Sequence, residues 1–564
     1  MKIVECVPNF SEGRDMTIID KITAEIKAVS GARLLDVDPG ADTNRTVVTF
    51  IGDPTSVKEA AFRAVKKAAE LIDMSKHKGE HPRMGATDVC PFIPVSGVTM
   101  EECVEIAREV GKRIGTELGF PVYLYEYAAT NEERRNLANV RSGEYEGLQE
   151  KLKDPHWKPD FGPVKFNPRS GATAVGARDF LIAYNVNLNT TDAKLAHEIA
   201  TTIRESGKKK RDGDGKFVKD KDGNSVTEPG LLKNCKAVGW YIDTYEAAQI
   251  SINLTNYHVT PPHLAFETVS DLAGKMGLRV TGSELVGLIP LEAILQAGNY
   301  YLEKQGKSRG IPERQIIKAA IRSLGLREVA EFDIDKKIIE YQARQRDKAL
   351  VDMTCAAFTD ELSTDSPAPG GGSVAALCGA LSAALTAMVG NLTHGKKQYK
   401  GVREEVEKIS MDSQIIKDAF LRAVDDDTDA FNKVMDCFKM PKGTPGEKAA
   451  RDEAVQEATK NATLVPLGVL RKSVDAAALA KRIAEIGNQN SLSDAGVAGL
   501  TARTAAIGAY YNVLINLQSI TDKEFVKKTF DDAEKLKDQA LTITDEIQSS
   551  VCGNLKNAVK KSES

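Results

Sequence analysis

Apolar positions follow two different periods along this chain, and the switch between them divides it. Up to about residue 340, short runs rich in β-branched and aromatic residues alternate with stretches of helical spacing. KIVECV (2–7), ARLLDVD (32–38), RTVVTFIG (45–52), residues 88–95 and PVYLYEY (121–127) predict strands. Residues 16–29, the segment SVKEAAFRAVKKAAELIDM and residues 100–118 predict helices; in the second, Val57, Ala61, Ala64, Ala68 and Leu71 share one face. The order returns with DFLIAYNVNL (179–188), a helix over 191–206, strands KAVGWYID (236–243) and AQISINL (248–254), and helices over 262–277, 290–304 and 312–324. Two units that each read β-α-β-β-α predict two α/β subdomains of the α+β sandwich kind, repeated in architecture and not in sequence.

After the polar run QARQRDK the strand signals fade and Ala-rich amphipathic spacing takes over. Residues 374–392, 402–437, 447–486, 496–519 and 522–559 predict helices, hence a separate all-α domain. The expected division is 1–178 and 179–341 for the two subdomains, a linker at 342–349, and the helical domain at 350–564. Between 207 and 230 lies GKKKRDGDGKFVKDKDGNSVTEPG. Its DGDGKF lacks the bidentate Glu that closes a calcium loop, so a surface hairpin turning at Asp222-Gly223 is the expectation.

Composition narrows the function classes. At 564 residues, 42% hydrophobic and 28% charged, the chain is an ordinary multidomain globular protein. A net charge of −4 supplies no basic excess for nucleic acid. The eight cysteines are scattered with no CxxC pair, which argues against a zinc ribbon and fits a reducing cytosol. The N-terminus does not read as a signal peptide. No apolar run of about 18 residues is expected, and GGGSVAALCGALSAALTAMVG reads as a close-packed soluble helix.

The densest chemistry is HKGEHPRMGATDVCPF (77–92). Its H-x-x-E-H spacing would bind zinc only if both histidines stood on one helical turn. Gly79 and Pro82 argue against such a turn, so no metal is expected. An imidazole on a loop can instead pass protons at neutral pH, or simply satisfy loop carbonyls. VDDDTDAF concentrates Asp425, Asp426, Asp427 and Asp429, either a crowded set with raised pKa values or a solvated acidic face. PAPGGGSVAAL predicts a loop entering a helix, whose free N–H groups attract anions or whose glycines let it pack closely.

These residues carry a resemblance. VECVPNFSEGRD, LLDVDPGADTNRTV, HKGEHPRMGATDVCPFIPV, VYLYEYAA, DFGPVKFNPRSGATAVGARDFLIAYNVNL and GSELVGLIPL resemble the glutamate formimidoyltransferase family. SPAPGGGSVAAL, VDDDTDAF and NVLINLQSITD resemble formimidoyltetrahydrofolate cyclodeaminase, and in that order the whole chain except 207–230 is similar to the fusion of the two. The resemblance implies transfer of a formimidoyl group from N-formimidoyl-L-glutamate to N5 of tetrahydrofolate. Cyclisation to 5,10-methenyltetrahydrofolate with loss of ammonia follows. It also implies polyglutamylated tetrahydrofolate as co-substrate, no metal, a folate cleft between the two subdomains, and a cytoplasmic homo-oligomer assembled through the helical domain.

By the same resemblance His81 is the catalytic histidine, Asp38 its carboxylate partner and Asp427 the cyclodeaminase acid. The folate-contacting segment is Gly162-Pro163-Val164-Lys165-Phe166-Asn167-Pro168-Arg169-Ser170-Gly171. In that segment Asn167 is a candidate to bond a pterin edge, and Phe166 either to stack on it or to plug the core. Asp36 is the alternative to Asp38, with only one of the two expected to face the cleft. Arg45 and Arg83 are candidates to clamp substrate carboxylates, or structural ion-pair partners. Lys396 and Lys397 are candidates to hold a polyglutamate tail, or solvated surface.

Overall fold

The computed structural model describes residues 2–562 except 42–43, 80–81, 214–215, 221–224, 330 and 345–349. His81 and the turn residues Asp222 and Gly223 therefore lie outside the described residues. Two compact units emerge, one of residues 1–297 with 321–345 and one of 298–320 with 346–564.

The first unit opens with β1 (Ile3–Cys6), β2 (Asn9–Phe10), α1 (Met16–Lys27), β3 (Ala32–Gly40), β4 (Arg45–Gly52), α2 (Pro54–Leu71), β5 (Thr87–Ser96) and α3 (Met100–Arg113). β6 (Val122–Glu126), the short helices α4 (Leu137–Arg141) and α5 (Glu144–Lys151), and β7 (Thr173–Ala177) follow. The sheet order is β3-β4-β1-β5-β7-β6; the first three pairings are antiparallel and the last two parallel. β1, β3, β4 and β5 with α1 and α2 form a split βαβ arrangement.

Helix α1 is capped by Asp15, and α3 carries a full capping box from Thr99 and Glu102, so both helices start where the sequence supplies an oxygen for free N–H groups. Strand alternation decides which side chains meet these helices. Val4 and Cys6 of β1 and Val48 and Phe50 of β4 enter the helix-backed core, with Leu34 and Val37 of β3 packed against it. Glu5, Val47 and Thr49 alternate to the opposite face. A bulge at Leu35 resets the phase of β3.

A second sheet repeats the plan. β8 (Ile182–Leu188) precedes α6 (Ala193–Ile203); the ribbon β9 (Lys208–Lys209) with β10 (Thr227–Glu228) is antiparallel, as a hairpin over 207–230 requires. β11 (Cys235–Ile242), β12 (Ala247–Leu254), α7 (Pro262–Lys275) and β13 (Val280–Val286) complete an antiparallel sheet in the order β11-β12-β8-β13. Each half is therefore βαββαβ, one strand more than the sequence pattern predicts for the second. β13 escapes that pattern because Gly282, Ser283 and Glu284 interrupt its apolar run at a register shift. α8 (Leu291–Lys304), α9 (Glu313–Leu324), α10 (Ile334–Lys337) and α11 (Ile339–Arg344) follow.

The second unit is helical: besides the end of α8 and most of α9 it holds α12 (Cys355–Leu362), α13 (Gly371–His394), α14 (Arg403–Phe438), α15 (Pro445–Ile486), α16 (Leu492–Leu517) and α17 (Lys523–Ser562). α13 lies against α14, α15 and α16. By length and composition α13 could cross a membrane, contrary to the expectation that no such run exists; 61% of its most apolar window is buried among its neighbours. Small residues permit that packing. Gly379 faces the Phe420 ring and Gly390 faces Ser410 Oγ, each too close for a β-carbon.

Candidate active sites

The face of the first sheet that carries Glu5, Val47 and Thr49 looks into a cleft of about 910 Å³. Asp36 and Asp38 of β3, Arg45 of β4, Arg178, Ala183 of β8, Asn253 of β12 and Lys336 and Lys337 complete its charged and facing walls. A second cavity of about 740 Å³ adjoins it through Asn9, Arg178 and Leu181, and holds Arg135, Arg141 and Lys236 against Glu126 and Asp179. Asp179 is fixed there by Tyr127 (2.9 Å) and Asn256 (3.0 Å). Asp36 and Asp38 both line the first cavity, which corrects the expectation that only one would: residues two apart on a strand share a face. Partial burial lifts the Asp36 carboxyl above its ordinary range, and Asp38 adds to the effect.

The loop flanking His81 is laced to the turn that carries Asp38 and Arg45. Residues 72–79 and 82–84 contain no helix, as Gly79 and Pro82 predict. Asn44, held at φ 46°, accepts from Gly13 N through Oδ1 (3.0 Å) and donates from Nδ2 to the Lys78 carbonyl (2.9 Å). His77 Nε2 lies 2.9 Å from the Asn44 carbonyl, and Arg83 Nε donates to His77 Nδ1 at 3.2 Å. An Arg N–H can only donate, so Nδ1 accepts and Nε2 carries the proton. Burial, with help from Arg83, pushes the His77 pKa down, so this ring stays neutral. Both its nitrogens are taken by protein. The described residues contain no cluster of three metal-ligating side chains.

Arg83 is buried and paired to Glu146 (2.7 Å) and Glu144 (3.3 Å). It lines neither cavity. Gly162–Gly171 also stays out of both. That segment braces the His81 loop instead: Ala86 N bonds Ser170 O (2.9 Å), Ala172 N bonds Met84 O (3.1 Å), and Gly85 bridges Gly171. Asn167 Oδ1 accepts from Arg169 N and Ser170 N, capping its own turn. Phe166 packs beside Tyr145 at 5.4 Å, on the small core that holds Met84 and Val89.

In the helical unit two separate motifs meet. Asp427 of α14 lies against the start of α13, where a β-carbon on Gly372 would stand 2.2 Å from Asp427 Oδ1. The Ser373 backbone N–H bonds the carboxylate. Ser373 Oγ is 3.1 Å from Asp427 Oδ2 and 3.0 Å from the Val424 carbonyl, so its single proton serves either. Burial raises the Asp427 pKa and the Ser373 bonds oppose it. The cause is thus desolvation, not the crowding of acids that the VDDDTDAF run suggests. Asp426 and Asp429 face outward, and Asp425 accepts from Leu350 N at 2.7 Å. Lys397, beyond the end of α13, is exposed, with Lys396 half-buried beside it.

Three family models match in succession: formiminotransferase domain, N-terminal subdomain over residues 3–178, formiminotransferase domain over 183–344, and formiminotransferase-cyclodeaminase over 354–535. Formimidoyltransferase-cyclodeaminase of Dictyostelium discoideum is 45% identical over 538 residues, 95% of this chain and 96% of its own. The chain belongs to the formimidoyltransferase-cyclodeaminase family. Each half of this family member also has a relative of its own. Glutamate formimidoyltransferase of Streptococcus pyogenes serotype M1 is 47% identical and covers 54% of this chain and 94% of its own. Methenyltetrahydrofolate cyclohydrolase of Methylorubrum extorquens is 39% identical and covers 35% and 95%.

Three residues of these sites went unremarked in the sequence reading. Glu5 is 2% exposed yet lines the larger cavity; its signal was a lone acid inside the apolar run KIVECV. Asn44 follows Asp38 by six residues, and nothing in ADTNRTV announces that it ties two other loops. Ser373 reads as one more small residue of an Ala-rich helix until Asp427 is seen beside it.

Proposed function

We propose that this chain catalyses two consecutive folate reactions. In the first, N5 of tetrahydrofolate attacks the formimidoyl carbon of N-formimidoyl-L-glutamate; the new C–N5 bond forms, the bond to the glutamate nitrogen breaks, and a proton passes from one nitrogen to the other. His81 is the proton carrier and Asp38 orients it, work worth roughly 10²–10⁴-fold in rate. In the second, N10 attacks the same carbon and ammonia leaves. Asp427 supplies the proton the departing nitrogen needs. The single observation that carries the reading is one chain matching a fused relative along 95% of its length, while each half separately matches a shorter relative.

The paired cavities support a division of labour in the first reaction. The larger takes the pterin beside Asp38 and Arg45. The smaller, richer in cations than in acids, takes carboxylates. Arg45 is in place for substrate, whereas the ion pairs of Arg83 and the bonds of Gly162–Gly171 support a bracing role for both around His81. Polyglutamylated folate is the proposed natural form, with Lys396 and Lys397 among the residues that retain its tail. The proposed compartment is the cytoplasm. A homo-oligomer forms through the exposed apolar stripes Leu381, Met388 and Leu392 on α13 and Val497, Leu500, Tyr511 and Ile515 on α16.

A second reading of the helical half is hydrolysis of the methenyl product, favoured by its cyclohydrolase relative. A spectroscopic assay for methenyl-folate, coupled to ammonia measurement, tests both. Formimidoylglutamate plus tetrahydrofolate should give methenyl-folate and one ammonia per turnover. H81A should stop the first step, and D427N should accumulate the formimidoyl adduct. Rapid hydrolysis of added methenyl-folate without ammonia release from the adduct would favour the second reading.

A further inference from the structure

We propose that Glu5 is the carboxylate that grips the amino-pyrimidine edge of the pterin, its two oxygens accepting from the ring N3–H and the 2-amino group. The assignment rests on the folate reading and names a contact within it. Glu5 sits at the centre of the first sheet, opposite Ile51 of β4 and Ile93 of β5, both buried. Alternation sends Val4 and Cys6 into the core and turns Glu5 to the cleft. Among the described residues no side chain or backbone group donates a hydrogen bond to its carboxyl. A buried carboxyl flanked by isoleucines and lacking donors is unfavourable as an anion. A ligand presenting two parallel N–H groups removes that penalty and is read bidentately.

Position agrees with chemistry. Glu5 and Asp38 stand two strands apart and four residues along, about 17 Å between backbones. Both residues line the one cavity, and that span accommodates one bicyclic ring, its pyrimidine end at Glu5 and N5 toward Asp38. The charged groups around Glu5 are Arg178 before β8, Glu340 of α11, Asp36 and Asp38 of β3, Arg45 of β4, and Lys336 and Lys337 of α10. Burial outweighs Arg178 and pushes the Glu5 pKa up to about 8. At pH 7 the empty site therefore holds a proton, which donors on the ligand expel.

The test titrates tetrahydrofolate into the full-length protein by calorimetry at pH 7, in two buffers of different ionisation enthalpy. Wild type should release close to one proton more per ligand than E5Q, and E5Q should bind at least about tenfold more weakly. A 2-desamino-2-methyl analogue should lose affinity for wild type but not for E5Q. A melting curve keeps the variant honest, since E5Q replaces a buried, protonated carboxyl with a neutral amide of the same shape and should fold at least as stably. Equal proton release, or equal analogue penalties in both proteins, would overturn the assignment while leaving the folate reading standing. Wild type that binds no tetrahydrofolate would sink both.

Discussion

Ser373 and Gly372 show how much one side chain changes around a buried acid. The Ser373 bonds favour the ionised form of Asp427, against a burial that disfavours it. Removing the hydroxyl in S373A should raise the Asp427 pKa further. If the protonated acid is the working form, the alkaline limb of the second reaction moves to higher pH; a pH–rate profile on preformed 5-formimidoyltetrahydrofolate measures it. An unmoved limb would detach Asp427 from the rate. G372A places a β-carbon where Asp427 Oδ1 now lies. It should reduce the second rate by about tenfold or more while leaving the first untouched. Glu5 sets a different pH dependence, on stability. Its folded pKa is about 8 against an ordinary 4.5, so the folded state holds the proton more tightly. Its contribution is complete below about pH 4.5 and is lost as pH rises through about 8. Melting temperatures between pH 5 and 8.5 should fall less steeply for E5Q than for wild type; parallel curves would contradict the burial argument.

At the scale of elements, the strands and helices with clean periods were legible in the sequence, and those read by their neighbours were not. The five long helices of the second unit lie where their spacing predicts, to within a few residues. β7 was missed because TAVGA is small, fully buried and without alternation, as a strand between two parallel neighbours is free to be. The loop Gly162–Gly171 shows the same dependence. Gly171 takes φ +66°, and a β-carbon there would meet the Met84 carbonyl at 2.1 Å. G171A should therefore cost about 1–3 kcal/mol or more in the first unit. It should also slow formimidoyl transfer, since the strained segment braces the loop flanking His81. Denaturant unfolding read beside transferase rate checks this; a stable, fully active G171A would show that the brace is dispensable.

The whole molecule joins two reactions whose shared intermediate can stay bound or escape. Mixing full-length H81A with D427N separates the two competent sites onto different chains. Methenyl-folate should then appear after a lag that shortens with enzyme concentration, while wild type shows none. Equal lags in both cases would mean that the adduct always passes through solution. Placing a charge on the α16 stripe, as in Y511D, should yield smaller assemblies by sedimentation if copies meet there.

The order of β-rich and helical periods determined two α/β subdomains and a helical domain, because periodicity is a local property of the chain and burial of one face follows from it. The long motifs carried the family for the same reason: they are contiguous. What faces what was decided only by folding. The bulge at Leu35 turns the shared face of Asp36 and Asp38 to the cleft, Asn44 ties loops some thirty residues away on either side, and Asp427 finds Ser373 across 54 residues. Glu5 acquires its chemistry from two isoleucines on other strands. Solvation and hydrogen bonding act through space, so a group's protonation and its partners depend on neighbours the chain brings near, not on those beside it in sequence.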